Sequence, residues 1–410
     1  MRHFLIILLI SLAACSQEDS TEPVPQVSDW RVSIALSEVN LPVFLHLAPD
    51  GSEAWLINGS ETVHVPDISR DGDSWVLRFP TFNNTLVLNR TASGLSGSLT
   101  LVKRGYEQVM MLEAVPDRGF RFTENATADT DLTGRWDVLF TEDDGKQYAA
   151  VGEFDQQGGS ITGTFLTSLG DYRYLAGEVD GNIMRLSTFD GAHAFVFTAT
   201  VLEDGSLEGD FWSGTRWHES WVATRSFDAS LSDPYELTYL KEGFDRLDFS
   251  FPDLDGIPVS LDDGKFNGKV VLVNLAGTWC PNCADEMEFL SAVYNQEHEK
   301  GLEIITLLYE HFDDFETAAR QGRELVVKHN IDFTVLVAGS SDKRKAAETL
   351  PMLNRVLAYP TLIFIDRTGQ VRDIHTGFSG PGTGQHFEDF KNEFALKLKN
   401  LLDEDVSQKL

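Results

Sequence analysis

Cysteine is scarce in this chain of 410 residues, where only Cys15, Cys280 and Cys283 occur. Three cysteines are too few for a small secreted scaffold held together by disulfides, so each needs its own explanation. Basic residues are also few, because 33 Lys and Arg stand against 64 Asp and Glu and give a net charge of −31. A surface of this charge repels phosphate backbones, which argues against nucleic acid as a partner.

Long hydrophobic runs and cofactor-binding motifs are missing as well. The apolar run at 4–12 is too short to cross a hydrocarbon core, which takes about 20 residues of helix. No nucleotide or flavin motif is visible, so the sequence predicts no bound cofactor and a supply of reducing power from another protein. Four histidines without zinc-like pairing are interpreted as ordinary surface or hydrogen-bonded side chains: His46, His64, His193 and His218.

What the chain does contain is apolar material for a core and length for two or three domains. Forty-two per cent of the residues are hydrophobic and 11% are aromatic, which excludes a wholly disordered chain.

The N-terminus has the pattern of an export signal. A short basic start and the apolar run at 4–12 are followed by small residues that end at Cys15. The stretch LAAC at 12–15 resembles the lipobox of bacterial lipoproteins, which implies cleavage before Cys15 and a lipid on its thiol. The alternative is an ordinary cleavage site with an incidental cysteine. Ser16, rather than Asp, resembles the pattern for passage to the outer membrane, so we expect a lipid-anchored protein on the periplasmic side with the outer membrane favoured.

The middle of the chain is predicted to be antiparallel β structure built from two related units. Short alternating runs are separated by Gly, Asn and Asp clusters, as in hairpins of a sandwich or barrel. The stretch at 77–84 resembles the stretch at 184–191, and 94–97 resembles 206–209, while Trp30 corresponds to Trp136. We find no catalytic motif in this region.

The chemistry is expected where a buried strand runs into a helix. The run VVLVNL at 270–275 is typical of a central strand covered on both faces, and Cys280-Pro281-Asn282-Cys283 follows after a short turn. A C-x-x-C pair that opens a helix in this context indicates redox chemistry, and no second C-x-x-C completes a zinc site. A copper site that also recruits His311 is the alternative.

The helix pattern assigns different roles to the two sulfurs. Cys280 precedes the first turn, where the free N–H groups and the helix dipole favour a thiolate, so it is the expected nucleophile. Cys283 lies on the apolar face and is the expected resolving thiol. Glu286 falls in the same apolar arc, which predicts a desolvated carboxyl with a raised pKa that relays protons. The alternative for Glu286 is a structural acid bonded to backbone or water.

These features together resemble the thioredoxin fold and, more closely, the TlpA/ResA-like periplasmic thiol-disulfide oxidoreductases. The resemblance rests on GTWCPNC, on Glu286 and on YPTLIFIDRTGQVRDIHTGFSGPGTG, and it covers about residues 245–402. It implies a redox-active Cys280–Cys283 disulfide, with Pro360 as a cis-proline in the client groove. The remaining residues that it places in this groove are Trp279, Pro281, Asn282 and Tyr359.

Two departures from the family pattern matter. The spacing between Cys280 and Pro360 requires an inserted helix and strand, placed at 313–337. The β region has no counterpart in small family members, so their substrates do not transfer directly.

The sequence therefore predicts a multi-domain chain in which an antiparallel all-β region precedes a three-layer α/β/α thioredoxin-like domain. Its predicted parts are a signal peptide at 1–14, a tether at 15–29, β units at 30–128 and 129–226, a linker at 227–244, the thioredoxin-like domain at 245–402 and a tail at 403–410.

The favoured function is reduction of client-protein disulfides, of the kind used in cytochrome c maturation or general thiol reduction, with a membrane thiol carrier as electron donor. The alternatives are a thiol peroxidase, or a lipoprotein whose β region binds a partner as its main role.

Overall fold

The computed structural model describes residues 28–404. The predicted signal peptide, most of the tether, the lipidation of Cys15 and the last six residues lie outside the described residues. No helix between residues 28 and 404 is long and apolar enough to span a membrane.

The first β unit is a meander of nine antiparallel strands whose last strand returns to pair with the first. The sheet order is β4-β3-β2-β1-β9-β8-β7-β6-β5. Side chains alternate along β9, where Met110 and Leu112 are buried and Val109 and Met111 are exposed. The strands are β1 (Asp29–Ala35), β2 (Asn40–Leu47), β3 (Ala54–Asn58), β4 (Glu61–His64), β5 (Asp67–Asp71), β6 (Ser74–Phe79), β7 (Asn84–Arg90), β8 (Leu95–Lys103) and β9 (Tyr106–Pro116).

The second β unit repeats this topology and closes into a barrel. Its first strand pairs with its last, and an additional pairing of β11 with β12 completes the ring. Aromatic rings fill the interior, where Phe197 stacks on Phe165 at 4.7 Å and on Phe211 at 4.4 Å between centroids. The strands are β10 (Gly134–Glu142), β11 (Gln147–Gln157), β12 (Ser160–Thr167), β13 (Gly170–Asp171), β14 (Leu175–Asp180), β15 (Ile183–Phe189), β16 (Ala194–Val201), β17 (Leu207–Ser213) and β18 (Trp217–Arg225).

The predicted duplication is confirmed by the strand positions. The stretches at 77–84 and 184–191 begin in β6 and β15, the sixth strand of each unit. Those at 94–97 and 206–209 run into β8 and β17, the eighth strands. Trp30 and Trp136 both lie in the first strand, and both are buried.

The C-terminal unit is a five-stranded sheet with helices, in the order β23-β22-β21-β24-β25. The central strand β21 is parallel to β22 and antiparallel to β24, and every one of its residues is buried, as the apolar run predicts. The fold class predicted from the sequence is confirmed. The elements are β19 (Ser250–Pro252), β20 (Pro258–Ser260), β21 (Val270–Ala276), α1 (Pro281–Glu297), β22 (Leu302–Glu310), α2 (Phe315–His329), β23 (Thr334–Ser340), α3 (Lys343–Thr349), β24 (Thr361–Ile365), β25 (Val371–Thr376) and α4 (Gln385–Asp403).

The inserted helix and strand are α2 and β23, which fall in and just beyond the expected stretch at 313–337. Strand β23 extends the sheet at its edge, parallel to β22. Helix α2 packs against the 3-10 turn Pro80–Phe82 of the first β unit, where the Lys328 ammonium lies 5.4 Å from the centre of the Phe82 ring. The insertion is therefore the platform on which the first β unit docks.

The predicted linker at 227–244 lies along the C-terminal unit from Pro234 onward. The N–H of Thr376 donates to the Pro234 carbonyl, and the N–H of Lys241 donates to the Met352 carbonyl. These bonds fix the chain before the predicted start of the domain at 245.

Candidate active site

The two nearby cysteines lie where β21 passes into α1. Cys280 is the N-cap residue of α1 and Pro281 occupies the first helical position, where its missing N–H costs nothing. The Sγ of Cys280 accepts a hydrogen bond from the N–H of Cys283 at 3.2 Å. This donor is one of the free N–H groups of the first turn, so it stabilises negative charge on the Cys280 sulfur.

A disulfide joins Cys280 and Cys283. Cys280 is 7% exposed and Cys283 is 0% exposed, so the order of accessibility is the one expected from the helix pattern. Cys280 is nevertheless nearly covered, which the sequence does not predict. Both β units contact neighbours of the disulfide, the second through Asp171 on Asn282 and the first through Arg104 on Asp342.

The residues before β24 form one wall of the site. The peptide bond between Tyr359 and Pro360 is cis, as the family resemblance implies. The Tyr359 carbonyl oxygen lies 3.6 Å from the Cys280 sulfur, and the Trp279 ring packs edge-on against the Tyr359 ring. The structure therefore brings four of the predicted groove residues around the disulfide: Trp279, Pro281, Tyr359 and Pro360.

Glu286 lies one helical turn beyond Cys283 and is completely buried. Neither carboxyl oxygen has a hydrogen-bond partner among the described residues. Burial raises the pKa of Glu286 from 4.5 to about 8. A carboxyl with a pKa in this range exchanges protons readily with a thiol, and residues three apart on a helix are neighbours.

Glu310 is a second buried acid at this site, and sequence reasoning missed it. It ends β22, and its two carboxyl oxygens accept hydrogen bonds from the N–H and the hydroxyl of Thr278, both at 2.8 Å. Burial raises the pKa of Glu310 to about 7 in spite of these bonds. The neighbouring Tyr309 carbonyl accepts from the Trp279 indole at 2.9 Å. The end of β22 thus holds the loop that precedes Cys280. In the sequence, the acidic residue directly after the apolar run IITLLY was the signal that could have identified Glu310 as a site residue.

Asn282 is predicted as part of the client groove, whereas the structure buries its side chain against the second β unit. Its Nδ2 donates to the backbone oxygen of Asp171 at 3.1 Å and to the Asp171 carboxylate at 3.2 Å. Asp171 belongs to residues 170–174, which we call the bridging segment. Tyr172, the next residue, points the other way and bonds to the Tyr148 hydroxyl, which in turn donates to Glu219.

Arg173 of the bridging segment joins all three units of the chain. Its guanidinium forms ion pairs with Glu61 of the first β unit, with Asp190 of the second and with Asp285 of helix α1. Burial raises the pKa of Asp285 to about 7, and the Arg173 charge opposes this rise. Since Asp285 lies two residues beyond Cys283, the β region is held directly to the start of the helix that carries the disulfide.

The first β unit flanks the disulfide from another side. Arg104, in the turn between β8 and β9, pairs with Asp342 at 3.3 Å. His311 stacks on Trp279 with ring centroids 4.4 Å apart. Burial, reinforced by the positive charges of Lys103 and Arg104, lowers the pKa of His311 to about 3, so this ring is neutral. His311 bonds to Ser341 through Nδ1, and the two sulfurs that a copper site would use are bonded to each other.

The C-terminal unit is similar to known thioredoxin-like proteins and thiol-disulfide oxidoreductases. The Redoxin family model matches residues 242–392. The chain is 30% identical over 138 residues to the thioredoxin-like protein YneN of Bacillus subtilis, covering 34% of this chain and 73% of that protein. It is 31% identical over 129 residues to the thiol-disulfide oxidoreductase ResA of Bacillus cereus, covering 32% and 66%.

Among solved structures, a putative thiol:disulfide interchange protein DsbE from Chlorobium tepidum aligns over 38% of this chain and 98% of its own. The sequence identity is 20% and the TM-score is 0.30.

Proposed function

Because this chain belongs to the family of thioredoxin-like thiol-disulfide oxidoreductases, we propose that it works as a reductase that transfers two electrons from Cys280 and Cys283 to disulfides in client proteins. The observation that carries the proposal is the position of the Cys280 sulfur. It caps helix α1, receives the Cys283 N–H and lies beside the carbonyl that precedes the cis-proline.

The reaction proceeds in two exchanges. In the reduced protein the Cys280 thiolate attacks a client disulfide, which forms a mixed disulfide and releases one client thiol. The Cys283 thiol then gives its proton to the ionised fraction of Glu286, and the resulting thiolate attacks the Cys280 sulfur. The second client thiol leaves as the Cys280–Cys283 disulfide forms, so the client gains two electrons and the enzyme loses two.

A trapping experiment tests the assignment of the two sulfurs. In Cys283→Ser the resolving thiol is absent, so a client that reacts with Cys280 stays attached and is identified by mass. The matched variant Cys280→Ser should trap nothing, because the remaining sulfur is completely buried. Equal trapping by both variants would contradict these roles.

The direction of electron flow is tested by the reduction potential of the pair. A reductase is expected near the thioredoxin value of about −270 mV, whereas strong oxidants such as DsbA lie near about −120 mV. A value at the oxidising end would reverse the proposed direction.

Location in the periplasm, through a lipid on Cys15, is the second part of the proposal. It is supported by the basic start, the short apolar run and the small residues before Cys15. Labelling with a radioactive fatty acid should mark the wild-type chain and not Cys15→Ser, and the wild type should sediment with outer membranes. Equal labelling of both chains, or release of the wild type as a soluble protein, would count against the anchor.

Client and donor follow from the same proposal. Clients are proteins with exposed disulfides, among them the haem-binding cysteines of apocytochrome c, and the electron donor is a membrane thiol carrier. Reduction of a disulfide-linked C-x-x-C-H peptide by the reduced protein would support this client class. Failure to reduce that peptide while other disulfides are reduced would exclude it.

A further inference from the structure

The carboxylate of Asp171, on the second β unit, is surrounded by N–H donors. It accepts hydrogen bonds from the backbone N–H of Arg173 at 2.7 Å, from the backbone N–H of Gly380 at 2.8 Å and from the side-chain amide of Asn282 at 3.2 Å. A protonated carboxyl needs an acceptor for its own hydrogen, whereas every one of these partners donates. Burial raises the pKa of the Asp171 carboxyl, whereas these N–H donors and the nearby Arg173 charge oppose that rise, so the contacts favour the ionised form.

These bonds connect the two halves of the redox site. Asn282 lies between the two cysteines in the first turn of α1. Gly380 lies in the segment after β25, and in that segment the Gly377 N–H donates to the carbonyl of cis-Pro360 at 3.0 Å. Asp171 thus links Asn282, which lies between the two cysteines, to the segment after β25 that contacts cis-Pro360.

The packing around this link is tight. A Cβ placed on Gly377 would lie 3.1 to 3.3 Å from backbone atoms of residues 168–170. The segment around Gly377 and the segment at 168–170 therefore touch through their backbones. On the opposite side, Tyr172 is held by hydrogen bonds at the end of the barrel that the second β unit forms. The bridging segment is therefore fixed by the barrel and presents Asp171 in a set position.

We infer that Asp171 is a positioning residue for the redox pair, through which the second β unit sets the balance between disulfide and dithiol. The inference rests on the proposed thiol-disulfide exchange. Two effects act in the same direction. Fixing Asn282 and Gly380 holds the sulfurs at bonding distance, which raises their effective concentration and favours the disulfide. A negative charge beside the start of α1 also disfavours the Cys280 thiolate, and with it the dithiol form.

The test is the equilibrium of the full chain with glutathione, in which one protein disulfide and two glutathiones give one protein dithiol and one glutathione disulfide. Asp171→Asn should shift this equilibrium toward the dithiol by about tenfold, equivalent to about 30 mV. The matched control is Asp204→Asn. Asp204 belongs to the same β unit and also accepts from the N–H two residues on, but it lies in an exposed turn. The control should equilibrate like the wild type. A change of less than threefold in Asp171→Asn, or a shift toward the disulfide, would overturn the inference.

A second measurement separates positioning from simple loss of fold. The rate at which iodoacetamide alkylates reduced Cys280, measured against pH, should give a lower apparent pKa in Asp171→Asn than in Asp204→Asn. An identical pH profile in the two variants would contradict the electrostatic effect.

Asn282→Ala removes the hydrogen bond between Asn282 and Asp171 by changing the donor. This variant replaces Asp171→Asn as the test if Asp171→Asn does not fold. It should shift the glutathione equilibrium toward the dithiol, and the double variant should shift it no further than the larger single change. Fully additive shifts, or no shift in Asn282→Ala, would overturn the inference. If the wild-type disulfide does not equilibrate with glutathione at all, the proposed function fails instead.

Discussion

The replacement Glu286→Gln tests whether burial controls the proton on this carboxyl. In the folded chain Glu286 keeps its proton up to pH 8 or so, whereas in the unfolded chain it ionises above 4.5. The folded form therefore binds more protons between these pH values, and the wild type loses stability as pH rises through this window. Each pH unit contributes about 1.4 kcal/mol, so the window amounts to about 5 kcal/mol.

Gln has nearly the same shape and no proton to lose, so the variant should escape this loss. The free energy of unfolding of oxidised Glu286→Gln, minus that of the wild type, should rise by about 5 kcal/mol between pH 4 and pH 9. Urea unfolding of both proteins at several pH values measures this difference.

The control is Glu324→Gln on helix α2, because the Glu324 side chain is exposed. That change should alter stability by less than about 0.5 kcal/mol throughout. A difference for Glu286→Gln that does not vary with pH would show that the carboxyl ionises as it does in water, and the reasoning from burial would be wrong.

The same variant has a kinetic consequence. With no proton acceptor beside Cys283, resolution of the mixed disulfide at pH 8, where about half of the wild-type Glu286 carboxyls are ionised, should slow by about 100-fold, within the range of general base catalysis. The attack by Cys280 should be unaffected, because it does not use this acid. Stopped-flow measurement of the two steps separates them, and slowing of both steps equally would contradict the assignment.

Two further changes test the interior. Arg173→Ala removes the guanidinium shared by the buried Asp190 and the half-buried Glu61 and Asp285, so it should lower the free energy of unfolding by about 3 to 5 kcal/mol. The exposed Lys399→Ala should leave the stability almost unchanged. Thermal unfolding of both variants checks this, and a loss below about 1 kcal/mol in Arg173→Ala would contradict a buried network. Burial lowers the pKa of His375 from 6.5 to about 4, so the stability due to its neutral ring is present above pH 6.5 and is lost by about 3 kcal/mol as pH falls to 4. His375→Gln should lack this part of the acid sensitivity in urea unfolding at pH 7 and 4, and an unchanged acid dependence would refute it.

Local patterns in the sequence were enough to predict the core of the redox site. The apolar run at 270–275, the C-x-x-C pair and Glu286 lie within 20 residues of one another, so their geometry follows from one strand and one helix. The cis-proline came from the family resemblance, because the contact between the preceding Tyr359 carbonyl and Cys280 spans 79 positions.

The bridging segment could not be found in the same way. Asp171 contacts Asn282 across 111 positions, and it does so from the two-residue strand β13, which is too short to carry a periodic pattern. Its role depends on how the barrel of the second β unit closes and how that barrel docks on the C-terminal unit. Neither follows from local propensity, because strand register and the packing of separate units are decided by long-range contacts.

The alternation of side chains along the bridging segment limits how this protein can be rearranged in evolution. Asp171 and Arg173 face the neighbouring units, while Tyr172 between them completes the end of its own barrel. A gene fusion that exchanged the barrel for another module would remove Asp171 and Arg173 at once. Asn282 would then lose its hydrogen-bond acceptor and Asp285 would lose its ion-pair partner. Shuffling of modules is therefore restricted, and the barrel and the redox helix are expected to be inherited together.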